Sequence, residues 1–204
     1  YNSNLHIRSA PAGYAADGFI ALSPDVFWRQ EAANYLPYTD EGRAKARALW
    51  ARLDTDQFAR DLGDMVAGVR GRPDCTGKIG VMGFCLGGKF AYLATTRLPI
   101  EAAVSYYGVQ IDQHLDEAGR RACPLLMHFA SDDPHVPAET VAAIQARIGG
   151  SPGVDIHIYP GTEHGFNRQG YPPYNEKAAA AAPGRTPADF PRALSLLFRA
   201  PAVR

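Results

Sequence analysis

The sequence predicts an α/β fold in which helices cover both faces of a mostly parallel central sheet. Short apolar runs alternate with helical stretches along the chain, the pattern of parallel strands joined by crossover helices. One run, with Ile79, Val81 and Met82, has the length and content of an interior strand. It passes through a glycine-rich turn directly into a stretch where Phe90, Ala91, Leu93 and Ala94 recur at helical spacing. The 204 residues are 46% hydrophobic, enough for one domain with a sizeable core, so residues 1–204 are read as a single unit.

In chain order, residues 4–16 contain Pro11 and Gly13, which interrupt any helix there. Phe19-Ile20-Ala21-Leu22 reads as a strand ending at Ser23-Pro24-Asp25. The stretch from Trp28 to Asp40 is polar and reads as loose, and a helix follows from about Glu41 to Leu53. Phe58, Leu62, Met65, Val66 and Val69 then form one apolar stripe, which predicts an amphipathic helix lying on the sheet. The strand over Lys78–Gly83 and its helix come next. Further strands are predicted at Glu101–Tyr106, Pro124–Ala130 and Val154–Tyr159, with a helix over Pro137–Ile148. Residues 170–187, rich in Pro, Gly, Tyr and Ala, read as a loop with a short helical piece. Phe190, Leu194, Leu197 and Phe198 mark a closing helix.

Composition narrows the function classes. Basic and acidic residues number 21 each, so no global field draws the chain to nucleic acid or to an anionic membrane. No apolar run approaches the ~18 residues of a membrane span, and Tyr1 opens neither a signal peptide nor a transit sequence. Cys75, Cys85 and Cys123 are an odd count without metal-type spacing, which suits a reducing cytoplasm better than a disulfide framework. The expectations are a cytoplasmic protein with no metal and no cofactor, acting on a small molecule as a monomer or weak homodimer.

The turn reads Gly83-Phe84-Cys85-Leu86-Gly87, a G-x-C-x-G form of the nucleophile elbow with a thiol where serine is usual. Glycines two before and two after the nucleophile leave room for strand and helix to approach. A thiol at a helix N-terminus also feels a dipole that favours thiolate. Its partners are expected at the carboxyl ends of later strands. Two segments stand there: Ser131-Asp132-Asp133-Pro134-His135-Val136-Pro137, and Gly161-Thr162-Glu163-His164-Gly165-Phe166. The order nucleophile, acid, histidine then assigns Cys85, Asp133 and His164, with His164 taking the thiol proton and Asp133 holding the imidazole. The amide of Leu86, the residue after the nucleophile, supplies half of an oxyanion hole. Each residue has a plainer reading. Cys85 could be an inert thiol in a turn and Asp133 a turn residue bonding nearby amides. His135, beside Asp133, competes with His164, but it sits on the acid's own turn. His128 and His157 fall inside strands and read as packed or surface groups.

These residues resemble the dienelactone hydrolases (carboxymethylenebutenolidases), a family of the α/β-hydrolase fold. The resemblance runs from Ala16-Asp17-Gly18-Phe19 to the last helix. Its most specific pieces are Gly83-Phe84-Cys85-Leu86-Gly87-Gly88, Tyr106-Tyr107-Gly108, Asp133-Pro134-His135-Val136-Pro137 and His164-Gly165-Phe166-Asn167-Arg168. It implies the same triad. It also implies that Arg43 and Arg168 hold a substrate carboxylate and that Trp50 lines the pocket. A tyrosine of some members corresponds here to Arg47, which implies a pocket of changed character. The implied reaction is hydrolysis of dienelactones or related enol lactones through an acyl thioester. A broader carboxylesterase on the same fold, and a non-catalytic redox-sensing or binding protein using Cys85, are the other readings. In the family a strand ending in a glutamate and an apolar residue comes immediately before the segment that Tyr1-Asn2-Ser3-Asn4 resembles, and neither residue is in this sequence. The expectation is an N-terminally incomplete sheet, completed by an upstream segment, with residues 1–204 alone poorly folded and inactive. Each buried backbone group left unpaired would cost about 1–3 kcal/mol.

Overall fold

The computed structural model describes residues 19–184 other than Asn34 and Tyr38, together with Ala15. Four parallel strands form its sheet, β1 (Gly80–Phe84), β2 (Ala102–Tyr106), β3 (Leu125–Ala130) and β4 (Val154–Tyr159), in the spatial order β1-β2-β3-β4. The helices are α1 (Asp40–Ala51), α2 (Thr55–Arg70), α3 (Leu86–Arg97), α4 (Ala138–Ile148) and α5 (Glu176–Gly184), with a 3-10 segment over Asp112–Arg120 between β2 and β3. Every residue of β2 and β3 is buried, which explains why their sequences are continuous apolar runs rather than alternating ones.

Two cores lie on the two faces of the sheet. Ala103, Leu125, Met127 and Phe129 point to one face, where Phe58 and Val66 of α2, Phe90 and Leu93 of α3, and Val141, Ile144 and Ile148 of α4 cover them. The alternate residues Ala102, Val104, Leu126 and Ala130 meet Phe166 and Ala178 and Ala182 of α5 on the other. Local chemistry fixes the helix starts. Thr39 Oγ1 accepts from Gly42 N at 3.1 Å to cap α1, and Asp54 Oδ1 accepts from Gln57 N at 2.9 Å to cap α2. At the other end of α2, Arg70 forks onto Glu101 at 2.8 and 3.0 Å. Glu101 Oε2 in turn accepts from Ile79 N at 2.6 Å, so the starts of β1 and β2 are held together.

Two expectations are corrected. Phe19-Ile20-Ala21-Leu22 is not a strand: it joins no ladder among the described residues, and Ile20 and Leu22 are exposed. Apolar and β-branched content makes a strand only where a sheet edge and a covered face await it. The stretch from Trp28 to Asp40 is irregular but not loose. Phe27 and Leu36 bury against Ala46 and Leu49 of α1. Arg29 forks onto the buried Asp61 of α2 at 2.7 and 2.8 Å, and Trp28 Nε1 donates to the same carboxylate at 3.2 Å. The other predicted strands and helices stand within about two residues of their expected bounds. The 3-10 segment is additional, and the closing helix at 190–198 lies outside the described residues.

Candidate active site

Cys85 stands at the junction of β1 and α3 with φ 56° and ψ −117°, a left-handed conformation unusual for a residue with a side chain. Its backbone is fixed on both sides. Cys85 N donates to Tyr106 O at 2.9 Å, while Cys85 O accepts from Gly88 N at 2.9 Å and Val109 N at 3.3 Å. The glycines around it do different work. A Cβ on Gly83 would lie 2.0 Å from Gly87 O, so residue 83 must be glycine for the turn to close. A Cβ on Gly87 would meet nothing within 4 Å, whereas one on Gly88 would lie 2.7 Å from Gly108 Cα. The steric requirement after the nucleophile therefore falls on Gly88, where α3 crosses the end of β2, and not on Gly87 as the motif suggests. As the first helical residue, Leu86 has no intrahelical acceptor for its N–H.

Asp133 and His164 follow β3 and β4 at the same carboxyl end of the sheet. The Asp133 carboxylate is fully buried and doubly engaged. Oδ1 accepts from His135 N at 2.8 Å and Val136 N at 3.2 Å, and Oδ2 faces His164 Nδ1 at 2.7 Å. A turn aspartate and an imidazole anchor are thus the same residue. Burial is the largest single influence on His164 and lowers its pKa. The bond to Asp133, the Cys85 thiol and the charge of Asp133 together outweigh it and raise the value to about 9. The Nε2 atom is buried with no hydrogen-bond partner among the described residues, and the Cys85 thiol is one of the groups that raise the imidazole's pKa. The arrangement can hold a proton on Nε2 beside a sulfur, with the positive charge countered by Asp133.

His135 does not share this geometry. Only its backbone N–H bonds Asp133, and its ring stands edge-on to His164 with centroids 4.8 Å apart. Burial, then the charges of His164 and Arg47, keep its pKa below the ordinary histidine value. Arg168 follows His164 on the same turn, with its guanidinium 3.6 Å from a Cβ built on Gly165 and 4.7 Å from the centre of the Tyr171 ring. Arg43 is exposed on α1, and no described contact joins it to Cys85, Asp133 or His164. Trp50 is half-buried in the apolar cluster that also takes in Leu86. His128 is buried in β3, its Nδ1 2.8 Å from Tyr159 Oη, consistent with a packed residue.

Two residues to which the sequence reading gives no role reach the site. Tyr107, one residue past β2, places its ring against His164 with centroids 4.7 Å apart, and its hydroxyl donates to Asn167 Oδ1 at 2.5 Å. Their places in the segments that follow β2 and β4 were the available signal, since ligands gather beyond the carboxyl ends of strands. Among the described residues no group of three or more His, Cys, Asp or Glu is placed to hold a metal ion, and no helix is long and apolar enough to cross a membrane.

Known proteins resemble this chain along most of its length. A model of the dienelactone hydrolase family matches residues 3–192. A provisionally named carboxymethylenebutenolidase of Azospirillum brasilense is 35% identical over 201 residues, spanning 93% of this chain and 82% of that protein. The carboxymethylenebutenolidase of Pseudomonas putida is 31% identical over 183 residues, spanning 89% and 78%. Among solved structures, a provisionally named dienelactone hydrolase of Klebsiella pneumoniae superposes with a TM-score of 0.77 at 25% identity, over 92% of this chain and 81% of the other.

Proposed function

The chain belongs to the dienelactone hydrolase family and is a hydrolase of ester or lactone bonds in small molecules; from that premise we propose that it opens carboxylate-bearing enol lactones with Cys85 as nucleophile, through an acyl thioester. The observation that carries the reading is the strained Cys85 elbow at the same sheet end as a histidine bonded at 2.7 Å to a buried carboxylate.

In the first step Cys85 Sγ attacks the lactone carbonyl carbon, and the thiol proton passes to His164 Nε2. The carbonyl oxygen takes the developing charge, and the Leu86 amide donates to it at the positive end of α3. The tetrahedral intermediate collapses by breaking the ring C–O bond, which expels an enolate. That leaving group is weakly basic, so it departs with little acid assistance and then takes the proton held on His164 Nε2, which leaves the imidazole neutral for the second half of the reaction. Water then attacks the thioester and gives its proton to His164. The C–S bond breaks, the carboxylate product leaves, and the thiol is restored. Asp133 holds the imidazole in one tautomer and counters its charge throughout, in line with the raised value of about 9. In this reading Arg168 and Arg43 meet the substrate carboxylate and Trp50 packs on the ring, since a planar guanidinium suits a two-point contact with carboxylate.

Arg47 favours a second reading, a broader ester range. Its charge reaches His135 beside the candidate site, at the position where the family resemblance implies a tyrosine in some members. Rates on carboxymethylenebutenolide and on a neutral aryl ester, measured side by side, test the two. The lactonase reading expects a kcat/KM at least about tenfold higher on the carboxylated lactone, the worth of one charge-assisted contact. Equal values would transfer the conclusion to a general esterase.

A further inference from the structure

We propose that Tyr107 and Asn167 form a latch that positions His164 for proton transfer, an inference that rests on the Cys85–His164 reading above. Tyr107 occupies an unusual place. It has φ 38°, a conformation a bulky aromatic residue avoids unless its surroundings impose it. Those surroundings are visible: Tyr107 N donates to His128 O at 2.6 Å, and the preceding carbonyl, Tyr106 O, accepts from Cys85 N at 2.9 Å. Tyr107 is therefore tied to the same backbone junction that holds the nucleophile. Its side chain is 3% exposed and crosses from the end of β2 to the loop after β4.

It meets that loop twice. The ring packs against the His164 imidazole at 4.7 Å with the planes inclined by 58°, and the hydroxyl donates to Asn167 Oδ1 at 2.5 Å. Asn167 lies three residues beyond His164 on one turn, closed by Phe166 N to Glu163 O at 3.1 Å and Arg168 N to Gly165 O at 2.8 Å. Asp133 fixes the imidazole through Nδ1 alone. That bond and the edge-on His135 ring at 4.8 Å do not hold the imidazole on every side, and a swing about Nδ1 would carry Nε2 away from Cys85. The Tyr107 ring blocks that motion from one side, and its bond to Asn167 keeps the supporting turn in register. The aromatic face also tolerates the imidazolium that forms when His164 takes the proton.

The latch acts through His164 and touches no reacting atom, so Tyr107 and Asn167 are positioning residues. The test uses Tyr107→Phe, which keeps the ring and removes only the hydroxyl, together with Asn167→Ala, the double variant, and Tyr92→Phe as a control. Tyr92 also loses a hydroxyl bond, at 3.2 Å to His114 O, with no described contact to His164. The expected result is a fall in kcat of about tenfold in each latch variant, with KM changed less than about threefold, because misplacement of a catalytic group is felt in the chemical step. The double variant should lose no more than either single one, since both remove the same bond. The His164 imidazole, followed by NMR, should titrate lower in Tyr107→Phe than in wild type, as its bond to Asp133 loosens. Tyr92→Phe should change none of these. Wild-type kcat and an unmoved His164 titration in Tyr107→Phe, alongside an inactive His164→Ala, would overturn the latch alone. Losses that multiply in the double variant would also overturn it. Full activity in His164→Ala would instead overturn the triad.

Discussion

At position 85 the chain holds a thiol in a backbone conformation that costs roughly 1–3 kcal/mol for a residue with a Cβ. Alanine carries the same Cβ and the same strain, so Cys85→Ala should fold as wild type does, with a Tm within about 2 °C, while turnover falls to background. Thermal melting and lactone assays on the same preparation check both halves. The neighbouring histidines separate cleanly. His164 is bonded to a buried carboxylate and lifted to about 9, whereas His135 offers that carboxylate only its backbone. His164→Ala should lower kcat by on the order of 10²–10⁴, the usual worth of a positioned general base, and His135→Ala should lower it by less than about threefold. At this scale strand order in the sequence already placed Cys85, Asp133 and His164 at one end of the sheet, which is where they stand. For Tyr107 the sequence offered only its place just after β2, because its bond to Asn167 joins residues 60 apart, a contact no local pattern encodes.

Among the elements, the β1–α3 turn makes the sharpest demand. Gly83→Ala would drive a methyl group to 2.0 Å from Gly87 O, and Gly88→Ala would set one 2.7 Å from Gly108 Cα. Both contacts are with backbone, which cannot rotate away. Each variant should lose more than about 3 kcal/mol of unfolding free energy in urea, at the severe end for a single substitution. Gly87→Ala should instead be neutral or stabilising by up to about 1 kcal/mol, because its Cβ meets nothing and alanine favours the helix. The motif alone assigns both flanking glycines the same duty, and only the close passage of α3 over the end of β2 shifts the second duty to Gly88. Strands β2, β3 and β4 were legible because burial on both faces or regular alternation leaves its mark on composition. Phe19–Leu22 carries the composition of a strand without a ladder among the described residues. The 3-10 segment gives only Leu115 and Ala118 to the core, too few for a periodic signal, and its shape depends on Glu117, which ties it to Arg97 and Thr96 of α3.

Across the whole molecule, stability should depend on pH from both sides. The Arg29 hydrogen bond holds Asp61 at about 2 against an ordinary 3.8, and the Arg97 hydrogen bond holds Glu117 at about 2 against 4.5. These lowered values stabilise fully above the ordinary carboxylate range, and the contribution is lost as pH falls towards 2. His164 has the opposite sign. Its folded value of about 9 exceeds the ordinary 6.5, so its contribution is complete below about 6.5 and lost as pH rises through 9. Melting temperatures across pH 3–10 should therefore show a maximum near pH 5–6.5, and Asp133→Asn should flatten the alkaline limb while leaving the acid limb unchanged. An alkaline limb that persists undiminished in Asp133→Asn would detach it from the His164 pair. The proposed chemistry is tested most directly by mass. Opening a lactone by a thiol adds every atom of the lactone to the protein, so rapid acid quenching after mixing with carboxymethylenebutenolide should reveal a species heavier by one whole substrate. Peptide mapping should place that mass on Cys85, and the species should be absent from Cys85→Ala and decay to free enzyme with turnover. Steady hydrolysis by Cys85→Ala at the wild-type rate, or an acyl group mapped to any other residue, would contradict a cysteine mechanism outright.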